Sequence, residues 1–425
     1  MNRLERVAPI CRGRVRLVTV SPTRKNKTQL HFTLFQNIIG LGEYMKKSMV
    51  ALVTCDSYDD ALVNEAIKKA LGFIGGIENF VKTGEKIVLK PNVLIGSAPE
   101  KCVSTHPSVL KAVCKIMQEA GAIVSAGDSP AFGSTAMGMR MCGLKQVADE
   151  LGVTIADFSK GVEVSNKDGL LVKHVTIAEA VMEADGLVSL PKLKAHGLCR
   201  MTGAVKNQFG CVPGMQKTQY HSRLADPWDF GAMLVDLNMA IKPRLYIMDA
   251  VMAMEGNGPR SGTPRKIGAI LVSTDPVALD AVACKIINLD PEFVPTMPPG
   301  EKAGLGTYHF ENIDVVGDKV EDFICKDFDV VRKPKEHAER GKVRAYINNR
   351  ISPRPVIDEM LCTKCGTCIK HCPVTPKAVD WIEGDKTRPP RHNYDRCIRC
   401  YCCQELCPEG AISIKETLLG KMFFR

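Results

Sequence analysis

The feature that most constrains this chain is a cysteine-rich run that occurs twice near its carboxyl end. The first copy reads Cys362-Thr-Lys-Cys365-Gly-Thr-Cys368-Ile-Lys-His-Cys372-Pro373. The second copy reads Cys397-Ile-Arg-Cys400-Tyr-Cys-Cys403-Gln-Glu-Leu-Cys407-Pro408. Both have the spacing C-x2-C-x2-C-x3-C-P. Three thiolates on one tight loop can surround only one side of a compact metal group, so the fourth ligand of each group must come from elsewhere.

This spacing is that of bacterial ferredoxins with two [4Fe–4S] clusters, in which the fourth cysteine of each run ligates the other cluster. We therefore expect two [4Fe–4S] clusters as cofactors. The four ligands of one cluster are predicted to be Cys362, Cys365, Cys368 and Cys407. The four ligands of the other are predicted to be Cys397, Cys400, Cys403 and Cys372. Cys402 lies out of register with the first run, so we interpret it as a non-ligand.

Two other uses of cysteine fit this pattern poorly. A zinc site needs one or two C-x2-C knuckles rather than two matched four-cysteine runs. A disulfide framework is typical of small secreted chains, whereas these runs end a chain of 425 residues. The other ten cysteines are scattered and are expected to be buried free thiols in a reducing compartment, which favours the cytoplasm. They are Cys11, Cys55, Cys102, Cys114, Cys142, Cys199, Cys211, Cys284, Cys325 and Cys402.

The net charge of +10 is concentrated at the amino end. Residues 1–47 contain ten Lys and Arg against two Glu, so the remaining chain has a net charge of only +2. This balance argues against nucleic acid as a partner. The sequence contains no run of 18 apolar residues, so it predicts no transmembrane helix. We interpret residues 1–48 as a basic leader, either a wrongly extended start or a disordered arm.

From Met49 onward, short apolar strands alternate with amphipathic helices. This order predicts an α/β domain over residues 49–320, with a mostly parallel sheet and helices on both faces. Residues 321–353 are charged and are predicted to be a linker or docking segment. A small α+β ferredoxin domain is predicted over 354–415, and a tail over 416–425. The predicted strands are Val50–Val53, Lys86–Leu89, Ala122–Ser125, Val153–Ala156, Leu170–Val175, Asp185–Leu190, Leu245–Asp249, Ile267–Ser273 and Ile313–Val316.

Polar residues follow several of the predicted strands. Ligands in open α/β sheets bind beyond the carboxyl ends of the strands, so these residues are candidates for binding an anionic substrate. The candidates are Lys90, Asn92, Asp128, Lys192, Lys194, Asp249 and Asn257. Each also has a structural interpretation: an Asp after a strand often caps a turn, and Gly256–Gly262 can be a plain flexible loop.

Three further residues are candidates for catalysis. His196 lies among several cations, which disfavour a charged imidazole and therefore favour a neutral, proton-accepting form. Lys206 follows in the same glycine-rich segment and could act as a nucleophile or hold a carboxylate or phosphate. His106 precedes Pro107 at a predicted helix start, where anions bind readily. A lone histidine is nevertheless more often structural than catalytic.

The order of these motifs resembles the family called domain of unknown function 362. The resemblance is in Lys90-Pro-Asn92, Ser104-Thr-His106-Pro107, Gly127-Asp128-Ser129-Pro130, the 190–214 segment and Asp249-Ala-Val-Met-Ala-Met-Glu255-Gly-Asn-Gly-Pro. Members of that family are often joined to a two-cluster ferredoxin module. The resemblance implies the α/β fold and the partnership with clusters, but no settled reaction.

A second part of the chain is similar to nickel-pincer lactate racemases. The similarity is in the order of His196, Gly203, Lys206 and Pro213-Gly214, and it implies that Lys206 would hold a cofactor. That family has paired glycines before its lysine, where this chain has Ala204-Val205, and the ferredoxin tail is foreign to it.

Three functions are compatible with these observations. The first is an oxidoreductase whose clusters pass single electrons to or from an anionic substrate or second cofactor on the α/β domain. The second is a non-catalytic electron-transfer or maturation partner of another enzyme. The third is a racemase-like non-redox enzyme with structural clusters. The expected partner is thus a redox protein or a small anionic substrate. The sequence leaves the substrate, the direction of electron flow and the oligomeric state open.

Overall fold

The structure is a computed structural model that describes residues 47–130, 133–214, 216–334 and 350–417. The predictions for the leader up to residue 46, for Cys11, for 335–349 of the linker and for the tail beyond 417 lie outside the described residues. Within the described ranges, no helix is both long enough and apolar enough to span a membrane.

Strands and helices alternate along most of the described chain. The strands are β1 (Ser48–Thr54), β2 (Lys86–Pro91), β3 (Ile123–Ala126), β4 (Thr154–Ile155), β5 (Gly161–Ser165), β6 (His174–Ala178), β7 (Gly186–Leu190), β8 (Lys192–His196), β9 (Arg200–Thr202), β10 (Leu245–Glu255), β11 (Thr263–Ser273), β12 (Ile313–Gly317), β13 (Arg354–Ile357), β14 (Val379–Asp380), β15 (Arg391–His392) and β16 (Ile412–Lys415). The helices are α1 (Asp60–Phe73), α2 (Pro107–Glu119), α3 (Thr135–Met141), α4 (Leu144–Leu151), α5 (Glu179–Met182), α6 (Ala204–Asn207), α7 (Gln216–Arg223), α8 (Pro227–Ile241), α9 (Pro276–Ile286), α10 (Met297–Lys302), α11 (Thr367–Lys370) and α12 (Cys402–Glu405).

A sheet of ten strands forms the centre of the described α/β part. Its order is β12-β1-β11-β10-β7-β2-β3-β4, and β8 and β9 extend it beside β10. Most neighbouring strands are parallel; the antiparallel pairs are the two made by β11 and the pair β8–β9. The prediction of an α/β fold with a mostly parallel sheet is therefore confirmed.

Helices cover both faces of this sheet. Strand β1 shows the division, because Val50 and Leu52 belong to one core cluster while Ala51 and Val53 belong to the other. Alternate residues of a strand point to opposite faces, so a central strand that is apolar at every position must be covered on both sides. Helices α1, α2 and α4 pack on the face of Ala51, and helices α8 and α9 pack on the face of Val50.

Two predicted strands differ from the structure for identifiable reasons. Strand β10 extends from the predicted end at Asp249 to Glu255, because it pairs with β11 as a hairpin across a bulge. Residues 170–172 were predicted as strand but are irregular, with bends at Leu170 and Leu171. The three backbone amides of Leu170, Leu171 and Val172 donate to the buried carboxylate of Asp236, so they are not available for strand pairing.

No strand was predicted between Leu190 and Leu245, but residues 192–202 contain the antiparallel pair β8–β9. Strand β8 begins two residues after β7 ends and pairs with β10, so it continues the sheet beyond the carboxyl end of β7. In addition, Phe328 and Val330 of the predicted linker are buried in the core of the α/β part.

The carboxyl-terminal module is small. Strands β13 and β16 pair antiparallel, as do β14 and β15, and a compact apolar cluster beneath them includes four cysteines. This small strand-and-helix module agrees with the predicted α+β ferredoxin fold.

Candidate functional site at the junction of the sheet and the cysteine module

The eight cysteines of the two runs fall into two adjoining groups in space. Around Cys368 lie the thiols of Cys362, Cys365 and Cys407. Around Cys403 lie those of Cys372, Cys397 and Cys400, with Cys368 as a further neighbour. The structure thus brings the eight predicted ligands into one region, and their division into two sets of four stays a prediction. That each set ligates a cluster stays a prediction.

The two cysteine loops repeat the same backbone geometry. Lys364 and Gly366 flank the second cysteine of the first run with positive φ angles of 59° and 72°. Arg399 and Tyr401 occupy the equivalent positions of the second run, with φ angles of 59° and 60°. Left-handed residues on both sides of a cysteine curl the loop tightly, which lets three thiols face one point.

The cysteine groups fit a cluster better than a single ion. Within the described residues, no three His, Cys, Asp or Glu side chains converge closely enough to hold one metal ion. The backbone amide of Ala378 donates to the Cys372 Sγ over 3.4 Å, and Thr367 Oγ1 lies 3.3 Å from the Cys365 Sγ. Hydrogen bonds to ligand sulfurs are one means by which proteins adjust iron–sulfur sites. The donor set therefore suits a group with several thiolate ligands.

Replacing Cys402 with serine is expected to leave the iron content unchanged. Cys402 is buried at the start of α12 and hydrogen-bonds with Cys400, a contact that a serine hydroxyl can replace. It has no counterpart among the four spaced cysteines of the first run. Iron and sulfide analysis of the anaerobically purified variant tests this expectation. A loss of half the iron would identify Cys402 as a ligand.

The polar residues at the ends of β2 and β3 form a buried network. Lys90 Nζ lies 2.8 Å from Asp128 Oδ1 and donates to Asn207 Oδ1 over 3.1 Å. Asn207 also accepts from the side-chain amide of Asn92. Gly210 is required beside this pair, because an added Cβ would collide with Asp128 and Lys90. The positive charge of Lys90 is thus paired with the carboxylate of Asp128 inside the protein.

A second network surrounds Asp249. Its carboxylate lies 2.9 Å from Lys192 Nζ and accepts from the Tyr58 hydroxyl over 2.8 Å and from the His106 backbone amide over 2.9 Å. Asp249 lies within β10 rather than at a strand end, which corrects the premise on which it was selected. The bulge between Ala250 and Met252 follows it directly.

His106 is the N-cap residue of α2. Its Nδ1 accepts from the backbone amide of Ser108, and its ring stacks on Tyr58 with centroids 3.5 Å apart. Burial lowers the pKa of His106 to about 4, with Asp249 opposing and Lys192 adding to the effect. A neutral imidazole that accepts a capping hydrogen bond has a structural use, so its predicted catalytic role is not required to explain it.

Two lysines beside these networks have no carboxylate partner in the described part of the chain. Lys194 is fully buried and donates to Asn92 Oδ1 over 2.7 Å and to the Val103 carbonyl over 2.6 Å. Burial, followed by the nearby amines of Lys206 and Lys192, holds the pKa of Lys194 well below its ordinary value. Lys206 is half-buried, and its Nζ lies 5.7 Å from the centre of the Phe209 ring. Burial therefore favours a neutral amine at Lys194, and the positive charge without a directly paired carboxylate among the described residues lies at Lys206.

His196 links this region to the cysteine module. Its Nδ1 accepts from the backbone amides of Leu198 and Cys199, so the proton of the neutral ring is on Nε2. That Nε2 lies 3.1 Å from Glu405 Oε1, which belongs to α12 of the module. Burial, with Lys206 adding to it, lowers the pKa of His196 to about 4. The predicted neutral form of His196 agrees with this geometry.

The module also docks on the loop between β10 and β11. The side-chain amide of Gln404 donates to Asn257 Oδ1 over 2.7 Å, and Asn257 donates to the Ile412 carbonyl over 3.1 Å. Arg260 donates to the Leu406 carbonyl over 3.0 Å. Gly197 packs so closely on Ile414 that a side chain there would collide with it. The second cysteine loop is therefore buried against the α/β part.

Two sequence similarities show the family to which this chain belongs. The family model described as domain of unknown function (DUF362) matches residues 87–285. A thylakoid-associated protein of Synechocystis sp. is 40% identical over 257 residues, which cover 60% of this chain and 79% of that protein. The chain belongs to the DUF362 family. Its similarity to DUF362 proteins includes the strands that carry Lys90, Lys192, Lys194, His196 and Asp249.

The cysteine module of this DUF362 chain matches a 4Fe-4S dicluster domain over residues 354–408. An uncharacterized ferredoxin of Methanocaldococcus jannaschii is 38% identical over 61 residues, which are 14% of this chain and 90% of that protein. One subunit of the H(2):CoB-CoM heterodisulfide,ferredoxin reductase of Methanothermobacter thermautotrophicus is 36% identical over 93 residues, which are 18% of this chain and only 14% of that protein. The carboxyl end is thus an iron–sulfur dicluster domain.

Among solved structures, the lactate racemase apoprotein of Thermoanaerobacterium thermosaccharolyticum is similar to 57% of this DUF362 chain. The TM-score is 0.37 at 13% sequence identity, and the similarity covers 58% of the racemase chain. It is a member of the second family that the sequence resembles.

The predicted site residues of the DUF362 domain occupy three environments. Lys90, Asn92, Asp128, Lys192, Lys194 and Asp249 belong to or adjoin the two buried networks around Asp128 and Asp249. His196 and Asn257 contact the dicluster module, and Lys206 lies beside both regions. Sequence reasoning missed Tyr58, Asn207 and Glu405. Glu405 lies inside the second cysteine run, in which only the cysteines were considered as functional residues.

Proposed function

We propose that this DUF362 chain is an oxidoreductase acting on an anionic ligand held beside the strand ends of its sheet, with the dicluster module serving one-electron transfer. The eight assigned cysteines would hold two [4Fe–4S] clusters. Such clusters, when bound, supply one-electron chemistry at potentials within about −700 to +450 mV. The direction of transfer is left open.

The contact between Glu405 and His196 is the observation that carries this proposal. Glu405 is two residues after Cys403, and His196 is two residues after Lys194 on the same strand. One buried contact of 3.1 Å thus connects a cysteine loop to the strand that carries Lys194. A module that only stabilised the fold would not need to be joined to this strand.

Each residue near the strand ends has a distinct part in the proposal. Lys206 binds the anion, because its charge has no carboxylate partner among the described residues. Lys194 accepts a proton, since burial favours its neutral amine. His196 keeps its proton on Nε2, which lies close to Glu405 Oε1, and so orients the ligand rather than acting as a free base. Lys90 and Lys192 are held by aspartates and position the other residues.

A non-catalytic electron-transfer role is the second candidate. It is favoured by the exposure of the first cysteine loop: Met360 is 93% exposed, Leu361 is 53% exposed, and Cys365 is exposed beside them. Apolar side chains next to a redox group suit contact with another protein. This candidate and the first differ in whether a small ligand alters the redox behaviour of the isolated protein.

Replacing Lys206 with alanine is expected to abolish the response of the clusters to an anionic ligand while leaving their absorption spectrum intact. The experiment is an anaerobic redox titration with inorganic phosphate and with small hydroxy- and oxo-carboxylates. His196→Ala is expected to behave in the same way. Lys302→Ala, at an exposed lysine in α10, is the matched control and should respond as the wild type does.

Three results would contradict the proposal. A wild-type protein that titrates reversibly but responds to none of these anions favours the non-catalytic role. A response that survives in both Lys206→Ala and His196→Ala returns their segment to a structural role. Removal of the clusters without loss of an activity would favour the non-redox alternative.

A further inference from the structure

A groove of about 650 Å³ opens on the dicluster module. All of its lining residues lie between 350 and 396, so none of them belongs to the α/β sheet or its helices. Five basic and two acidic side chains line it. The basic residues are Arg350, Arg354, Lys377, Arg391 and Arg396, and the acidic ones are Asp380 and Asp395. The groove therefore has an excess of three positive charges.

The floor of this basic groove touches the second cysteine group. His392 lines the groove, and its Nε2 lies 3.4 Å from the Sγ of Cys403. The ring of His392 is nearly parallel to that of Tyr394, with centroids 5.9 Å apart, and Arg354 lies 4.7 Å from the centre of the Tyr394 ring. A molecule in the groove would be separated from a predicted cluster ligand by one imidazole.

The rim of the groove suits a protein rather than a small molecule. Arg391 and Arg396 are exposed on it, and Trp381 is half-buried in it. Arginine and tryptophan are the side chains that contribute most often to binding energy at protein interfaces. The position beside Cys403 gives a reason for a redox partner to bind there.

We propose that the basic groove is the docking surface of an acidic electron-carrier protein, which exchanges one electron with the module at the Cys403 group. The carrier loses or gains the electron that the module gains or loses, and no bond is made or broken. The electron exchange rests on the proposed function, whereas the docking itself does not. Exposed Met360 and Leu361 lie on the other cysteine loop and are not part of this surface.

The test measures binding of an acidic two-cluster bacterial ferredoxin to the cluster-loaded full chain by anaerobic calorimetry. Arg391→Glu combined with Arg396→Glu is expected to weaken binding at low ionic strength by about tenfold or more, since like charges would then face each other. Binding to the wild type should weaken as salt is raised, because exposed charges are screened over about 10 Å at 0.1 M salt.

The matched control combines Lys302→Glu with Lys386→Glu, two exposed lysines outside the groove that give the same change in net charge. It should bind as the wild type does. Iron content must equal that of the wild type in both pairs, and Arg391→Gln with Arg396→Gln replaces the first pair if it does not.

Three results would overturn the docking proposal: no binding by the wild type, equal weakening in both charge-reversed pairs, or unchanged binding in the groove pair. Binding of a single-stranded oligonucleotide in place of the ferredoxin, lost in the groove pair, would assign the groove to nucleic acid instead. The anion titration of the groove pair is independent of all these outcomes. A normal anion response in a variant that does not dock would overturn neither the proposed function nor the docking proposal. It would show that anion binding and carrier docking are separate properties.

Discussion

Replacing Cys365 with alanine is expected to remove about half of the iron from the protein, because metal binding and local folding are coupled. Cys365 is the exposed member of the group around Cys368, so its loss removes one of four ligands from that group alone. The group around Cys403 keeps all four of its cysteines. Iron and sulfide analysis after anaerobic purification measures the effect, and electron paramagnetic resonance distinguishes one remaining cluster from two.

The matched control for this variant is Cys325→Ala. Cys325 is a partly exposed thiol of the α/β part, near Arg265 and far in sequence from both cysteine runs. It should retain the full iron content. An unchanged iron content in Cys365→Ala would contradict the assignment of ligands. Complete loss of iron would show instead that the two groups fold as one unit, an outcome worth distinguishing because Cys368 lies near Cys403.

Short-range patterns predicted the fold well. The alternation of apolar strands and helices depends on local periodicity, and it located the parallel strands β1, β2, β3, β4, β7, β10 and β12 but not β8. The cysteine groups were also accessible from the sequence, because three of four members of each group lie within seven residues. Local spacing is informative wherever the chain itself, rather than a distant segment, sets the distance between side chains.

Contacts between distant segments could not be predicted in this way. Tyr58 donates to Asp249 across 191 positions, and Glu405 meets His196 across the boundary between two domains. Nothing in the immediate sequence of Tyr58 or Glu405 marks them as polar partners. The hairpin β10–β11 was missed in part for the same reason, because the extension of β10 beyond Asp249 depends on pairing with residues 263–266.

Replacing Asp249 with asparagine is expected to destabilise the protein by about 3–5 kcal/mol, since removal of one partner leaves a buried, uncompensated charge on the other. Asp249 and Lys192 are 0% and 1% exposed, and their charged atoms are 2.9 Å apart. The asparagine can still accept from the Tyr58 hydroxyl or the His106 amide, so the loss is mainly electrostatic. Anaerobic thermal unfolding of the cluster-loaded protein measures it.

The control for this effect is Asp318→Asn. Asp318 is a half-buried carboxylate that lies 3.5 Å from Lys69 and accepts from the amide and hydroxyl of Thr54, an acceptor role that the asparagine oxygen can keep. Ion pairs this accessible to water contribute about 0–1 kcal/mol. The double variant Lys192→Met/Asp249→Asn should be markedly more stable than Asp249→Asn alone, because it contains no buried charge at this place. If Asp249→Asn is as stable as Asp318→Asn, the pair is not the buried anchor of β8 and β10 that its geometry indicates.

Because β8 continues from Lys192 to His196, loss of this anchor should also weaken docking of the dicluster module, as measured by faster proteolysis between the two parts.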